Sequence, residues 1–479
     1  MIIADKAFLA EIDAKAEALK QKILNSKTDV VYTGTAYYVS PNGDDLNDGL
    51  SPETAIKSLT RIHTLPLAFG DCVFLERGGE WHGNITTSQN GLTFSAYGEG
   101  PKPIINCSPK NYAIPQEWVK TEYPNIWKYK FPFGLDIGHM VFDRELHGYK
   151  RCVGHYGFTE KLEELTHDLE FYSDRHDNDF LYLYSEQNPG ERFKLIEVQP
   201  YMAAFLIRAK SDIRVDNIMV LNAFFGVSTG SIKNFHVSNC VFGVIGGAGR
   251  VTKEGASFTR LGNGVEMYGI CDNYSVTNCW FYDVYDAAVT HQSKSAYEVP
   301  LTMENITYAD NLFERCIYSI EYFCDQPNSD EDMMRHVRMT GNICRFAGGF
   351  GWQRPNRVAR HIQGGWLRNN RKYPAEDFIV ENNIFDRSIN TLISCSARDE
   401  KHLPVMKGNT YIQYKDGYYG LCDVPYDHYE KFDENIEKYI REHKGEQDAI
   451  IAIVPEDDGL CRVKPDPDDY YPTAEAYKI

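Results

Sequence analysis

Positive charge is scarce in this chain: 50 lysines and arginines stand against 68 aspartates and glutamates, a formal net charge of −18. A surface of that sign repels nucleic-acid phosphates and anionic lipid, so neither is expected as a partner. Long apolar runs are also missing, and no stretch is apolar enough to span a bilayer. The start, "MIIADKAFLAEIDAKAEALKQKILNSK", has neither the cationic segment nor the unbroken apolar core of a secretion signal. Ile3, Phe8, Leu9, Ile12, Ala16, Leu19 and Ile23 recur there at helical spacing. That predicts an amphipathic helix over residues 1–28, packed on the body of the protein or on a second copy in a homo-oligomer. The 12 cysteines form no CxxC pair and no zinc spacing, so they read as reduced, buried thiols of a cytoplasmic protein.

Nucleotide and hydrolase signatures are lacking as well. "GGAG" and "GGFG" follow apolar segments but match neither a Walker nor a dinucleotide loop, and no GxSxG, HExxH or kinase set occurs. No cofactor and no metal is called for. "NIT" at Asn84 and Asn305 carries no weight as a glycosylation site without a secretion signal.

What the chain does contain is a repeat. "VDNIMV" begins at Val215, "VSNCVF" at Val237, "VTNCWF" at Val276 and "YADNLF" at Tyr308, followed by "MTGNIC" at Met339, "VENNIF" at Val380 and "MKGNTY" at Met406. The shortest interval is 22 residues, and the longer ones read as that unit plus an insertion. The segments are β-branched and aromatic, alternate with period two and break at Asn or Gly, which excludes helical repeats. A parallel β-helix fits, with one coil per repeat, coils about 4.8 Å apart and like residues stacked in ladders. Asn239, Asn278 and Asn342 or Asn383 are expected in such turn ladders.

Ahead of the repeat, "YYVSPNGDDLNDGLSPETAIKSLTRI", "GDCVFLERGGEWHGNI" and "TFSAYGEGPKPII" resemble the opening of bacterial right-handed β-helix proteins that act on carbohydrates. Ser51 and Pro52 suit an N-cap and a first helical residue, which predicts a short helix closing that end. Residues 108–200 read as an inserted β-rich module, an order that resembles β-helix glycoside hydrolases of the β-xylosidase and α-L-fucosidase families. The expected fold is all-β: a right-handed parallel β-helix with an inserted β module and short terminal helices. Its parts are the helix at 1–28, first coils at 29–107, the module at 108–200, main coils at 201–422, and an exposed helix with a tail at 423–479.

The repeat allows the outward face to be located. Counting eight residues on from the bulky end of each segment gives Ser228, Val289, Glu321 and Trp352, and matching "GVEMYG" to its neighbours adds Glu266. Val265, Ala288 and Ile320 beside them are expected to face the core, so the column faces out. Two residues on lie Tyr268, His291, Phe323 and Arg354. Insertions 246–263, 292–303, 324–334 and 353–376 all border this strip, and repeat-array insertions gathered on one face mark its binding face. His361, Arg357 and Trp366 lie in the longest of them.

Glycosidic hydrolysis needs a carboxylic acid to protonate the leaving oxygen and a second carboxylate to activate water or attack. Glu266 and Glu321, two coils apart at about 9–10 Å, are the candidates. Asp286, at the cleft's edge, is within reach of either, so inverting and retaining geometries both stay open. Trp352, Tyr268, Phe323, His291, Arg354 and His361 are the candidate contacts to an oligosaccharide substrate, and the walled cleft favours exo action. Asp283 reads as a turn residue. Two rivals stand beside this reading. One is a lyase of the same fold, with calcium recruited by Asp283, Asp286 and Glu321; the other is a non-catalytic carbohydrate-binding β-helix.

Overall fold

The computed structural model describes residues 1–151, 162–173, 180–251, 258–294, 300–325, 333–348, 359–364, 375–389, 391–396, 400–415, 417–423, 430–456 and 458–461. Among them, three long sheets of ten, eleven and ten strands run in parallel register except for the antiparallel edge strand Glu430–Lys431, and successive strands of the coils visit the three sheets in turn. Each circuit Ser211–Asp216, Met219–Leu221, Phe225–Thr229 is followed by Ile232–Ser238, Val241–Ile245, Val265–Tyr268, and so on. This is the right-handed parallel β-helix expected from the repeat. We call the sheets I, II and III in the order a circuit meets them.

The repeat segments turn out not to be single strands. "VSNCVF" holds the end of Ile232–Ser238 in sheet I, a two-residue turn at Asn239 and Cys240, and the start of Val241–Ile245 in sheet II. The first turn residue is left-handed in coil after coil: Asn217, Asn239, Asn278, Asp310, Gly341, Asn382 and Gly408 have φ between 51° and 63°. Asn, Asp and Gly bear this conformation at least cost, which explains why the pattern breaks there. The second turn residue points inward and forms another ladder. Asn311, Asn342, Asn383 and Asn409 are buried; the side-chain oxygens of the last three each accept the backbone N–H and side-chain N–H of the preceding coil's asparagine at 2.9–3.1 Å, and that of Asn311 accepts the Cys279 N–H at 2.9 Å. The expected single ladder is therefore two: Asn239 and Asn278 belong to the first position, Asn342 and Asn383 to the second.

The interior is a continuous apolar column from Val39 to Ile451, with stacked rings such as Phe242, Phe281 and Phe313 at 4.8 and 5.2 Å. Nine cysteines among the described residues are buried, Cys240 and Cys279 replacing asparagine in the inward ladder. Ser51 caps the single helical turn Pro52–Thr54 as its spacing implied.

Helix α1, Lys6–Leu24, is capped by Asp5 and lies across the outer face of sheet II. Ile12, Ala16 and Ile23 are its buried residues, and they meet Trp280, Leu312, Ile343 and Ile412. The apolar stripe is thus covered within the chain. Ile3 is not on it: Ile2–Ile3 is a strand that extends sheet II beside Ile450–Val454. The C-terminal helical turns Ile436–Lys438 and Tyr439–His443 are not wholly exposed, because Ile436 and Ile440 close the end of the core. No helix is long and apolar enough to cross a membrane among the described residues.

Residues 108–200 build two sheets of their own, of three and five strands, around a separate apolar cluster. They are tied to the solenoid by polar contacts. Arg144 binds Glu197 at 2.7 Å and Glu80 at 2.6 Å, and Asn106 binds both carboxylates.

Candidate active site

Sheet III carries the acidic strip. Its register pairs Ser228 with Glu266, Glu266 with Thr290, Thr290 with Glu321, and Glu321 with Gln363. The preceding residues Val265, Val289, Ile320 and Ile362 are in register and buried in the core. Strand alternation therefore turns Glu266, Thr290, Glu321 and Gln363 outward. Glu266 and Glu321 stand two coils apart, about 9–10 Å along the stack.

One residue in the middle of this column differs from expectation. Val289 faces the core and Thr290 faces out, because the corner at Tyr285 and Asp286 holds one residue more than the corner of the next coil. A one-residue slip exchanges the two faces of a strand. His291 is inward for the same reason. Its ring is fully buried, lies parallel to Tyr322 at 5.7 Å and meets the Tyr308 hydroxyl at 2.9 Å, and burial pushes its pKa down to about 3. It is a core residue rather than a substrate contact. Gln292 replaces it on the outward strip, between Tyr268 and Phe323, which are both half-buried there. His361 is also buried, between the Ser319 hydroxyl at 3.3 Å and the Arg387 carbonyl at 3.1 Å, so it too belongs under the cleft. Trp352 and Arg354, with Arg357 and Trp366, lie outside the described residues; the place expected for Trp352 in the column is held by Gln363.

Glu266 is the best defined of the three carboxylates. Asn263 donates to its Oε2 at 2.6 Å, and the Ser228 hydroxyl meets Oε1 at 3.3 Å. Asn263 is itself fixed, its oxygen accepting the Ala287 N–H at 3.0 Å. Burial raises the Glu266 pKa to about 7, with the negative charge of Asp286 adding to the rise against the two hydrogen bonds. At neutral pH this carboxyl therefore holds a proton about half the time. Asp286 is nearly buried at the corner of the coil between the two glutamates, four residues ahead of Thr290, and Glu321 is nearly buried on its own strand.

A wall rises beside this end of the strip. Gly249–Val251 and Phe258–Arg260 pair as an antiparallel hairpin. Asp136 of the inserted module accepts the Gly249 N–H at 2.6 Å and forms a buried ion pair with Lys150. Arg260 closes back on the Gly247 carbonyl at 2.7 Å and lies over the Tyr285 ring at 4.4 Å. Asp283 faces elsewhere: it is bound by Arg315 at 2.7 Å under the module, away from Asp286 and Glu321. Among the described residues no group of three or more His, Cys, Asp or Glu could hold a metal ion.

Asn263, Thr290, Gln292 and Gln363 were not singled out from the sequence. Thr290 and Gln363 become visible only with the correct register, and Asn263 lies inside what reads as an insertion.

No family model matches the chain. Lacto-N-biosidase of Bifidobacterium longum subsp. longum is 34% identical over 110 residues, a match covering 20% of this chain and 7% of that protein. The chain thus spans a small fraction of the curated relative it matches. Among solved structures, XylC in complex with xylose has a TM-score of 0.48 at 9% identity, covering 88% of this chain and 83% of the other. Lacto-N-biosidase from Eubacterium ramulus has a TM-score of 0.38 at 15% identity, covering 85% and 59%. Pectate lyase Pel9A has a TM-score of 0.38 at 9% identity, covering 81% and 72%.

Proposed function

We propose that the protein is a glycoside hydrolase that cuts short oligosaccharides from a chain end in the cleft of sheet III. The observation that carries this reading is the pairing of Glu266 and Glu321 on one outward column, with Asp286 in the coil between them. Glu266 serves as the general acid, because a carboxyl near pKa 7 is still partly protonated at neutral pH and can deliver that proton to the leaving oxygen. Glu321 is the second carboxylate, acting on the water or the anomeric carbon from the far side of the bond. Asp286 helps to hold the proton on Glu266 by its charge. Tyr268 and Phe323 flank the pair as sugar-stacking surfaces, with Gln292 between them as a hydroxyl partner. The hydrolytic action in the name of lacto-N-biosidase agrees with this class of reaction.

The test is to incubate the protein with a panel of neutral and uronate-containing oligosaccharides and to weigh the products, beside the Glu266→Gln/Glu321→Gln double variant. Products that each gain water, and vanish in the variant by at least about a thousandfold, are expected. Products lacking that water would make the protein a lyase. Binding of sugar that survives without turnover would make it a carbohydrate-binding scaffold.

A further inference from the structure

The inserted module carries a groove of about 320 Å³ for which the two-carboxylate chemistry has no use. Tyr112, Tyr129, Phe131 and Phe133 line it from the module, and Met202 lines it where the chain re-enters the solenoid. Its volume lies within the range of small-ligand pockets, roughly 300–1,000 Å³. Tyr129 is flanked by Phe131 at 6.1 Å and Phe133 at 5.3 Å, and Phe131 leaves 48% of its surface open. Lys110 stands over the Tyr112 and Tyr129 rings at 5.4 and 5.7 Å and is 2.7 Å from Glu117. Tyr112 and Tyr129 are buried beneath the groove, so the open rings are those of Phe131 and Phe133; with the Lys110 ammonium at the groove's lining they complement a sugar, whose C–H face is apolar and whose rim is hydroxyl.

The strand register places Met202, at the edge of this groove, on the same corner of the solenoid as Asp286, with the hairpin of Gly249–Val251 and Phe258–Arg260 rising from that corner at Gly262 between them. Ala203 pairs with Phe225, Val227 with Val265, and Val265 with Val289. Met202 therefore holds, three coils earlier, the corner position that Asp286 holds. The offset is about 14 Å, the span of a short chain rather than of one ring. Aromatic packing bridges it: Tyr201 lies on Phe224 at 3.9 Å, and Phe224 meets Phe225 at 4.5 Å on the strand that carries Ser228.

We propose that the aromatic groove is a distal subsite for the far arm of a neutral oligosaccharide whose scissile bond lies at Glu266 and Glu321. This rests on the hydrolase reading of the cleft. The groove sets a preference for length: two-unit sugars occupy the cleft alone, and longer ones also stack on Phe131.

Equilibrium titration separates this from the chemistry. Xylo-, gluco- and galacto-oligosaccharides of two to six units are titrated calorimetrically into the Glu266→Gln/Glu321→Gln protein, with and without Phe131→Ala and Phe131→Trp. Affinity is expected to rise with length, Phe131→Ala to remove about tenfold of it from the longest sugars and little from disaccharides, and Phe131→Trp to restore it. Binding that is absent across the series, independent of length, or indifferent to Phe131 overturns the subsite. If length-dependent binding through Phe131 persists while the parent protein turns over none of these sugars, the hydrolase reading fails and the groove stands.

Discussion

At the scale of single residues, the site depends on how one carboxyl is held. Glu266 binds its proton more tightly in the folded chain than an ordinary carboxylate does, because burial and Asp286 both disfavour its charge. The native state therefore binds more protons than the unfolded state between about pH 4.5 and 7, and this group's contribution to stability falls as pH rises through that window. Above it, ionised Glu266 remains a standing penalty of about 1–3 kcal/mol. Glu266→Gln is expected to raise the melting temperature by a few °C at pH 8 and to leave it nearly unchanged at pH 4. On the proposed hydrolase function, kcat/KM of the parent protein should decline above about pH 7 as Glu266 loses its proton. A melting difference of equal size at both pH values would mean that the carboxyl is not perturbed.

The elements are held in register by ladders, and these have a defined end. The inward asparagines pass their hydrogen bonds from coil to coil until Glu446, which accepts the Asn409 N–H at 2.8 Å, its side-chain N–H at 2.9 Å and the Tyr411 hydroxyl at 2.8 Å. Glu446 is 1% exposed, so water does not substitute for it readily. Glu446→Ala leaves buried donors unmatched and should cost about 2–3 kcal/mol, seen as a lower urea midpoint, whereas Glu446→Gln keeps an acceptor and should cost less. An unchanged midpoint in the alanine variant would show that the last coil is anchored by other contacts. The same ladder explains a partial reading of the sequence. The recurring asparagines reveal the period, but adjacent asparagines in "VENNIF" have opposite roles: Asn382 is left-handed and Asn383 is buried. Composition does not separate them; chain direction does.

The whole molecule keeps two faces of its solenoid covered by segments distant in sequence. Helix α1 screens sheet II, with Lys20 4.0 Å above the Trp280 ring and Asp13 bonded to Arg345. Deletion of residues 1–28 should expose Leu221, Trp280, Leu312 and Ile343 as one apolar patch. The truncated protein is expected to bind a hydrophobic dye and to self-associate, as read by light scattering. A monodisperse, dye-silent product would mean that another segment covers the face. At the start of sheet III, Asp136 of the module holds the hairpin strand at Gly249, so the proposed site would draw on segments far apart in the chain.

The sequence by itself determined the coil period, the all-β solenoid, the outward placement of Glu266 and Glu321, and their separation by two coils. Those follow from local rules: strand alternation, turn residues that accept positive φ, and stacking of like on like. Only the tertiary structure decided which residue stands between the glutamates, since one extra residue at the Tyr285–Asp286 corner exchanges Val289 for Thr290 and buries His291. It alone also brought Asn263 to Glu266 and Met202, at the edge of the aromatic groove, onto the corner of Asp286. Asn263 is only three residues from Glu266, but the Ala287 N–H of the next coil fixes its side chain, and no local pattern encodes how a corner closes or where an inserted module docks.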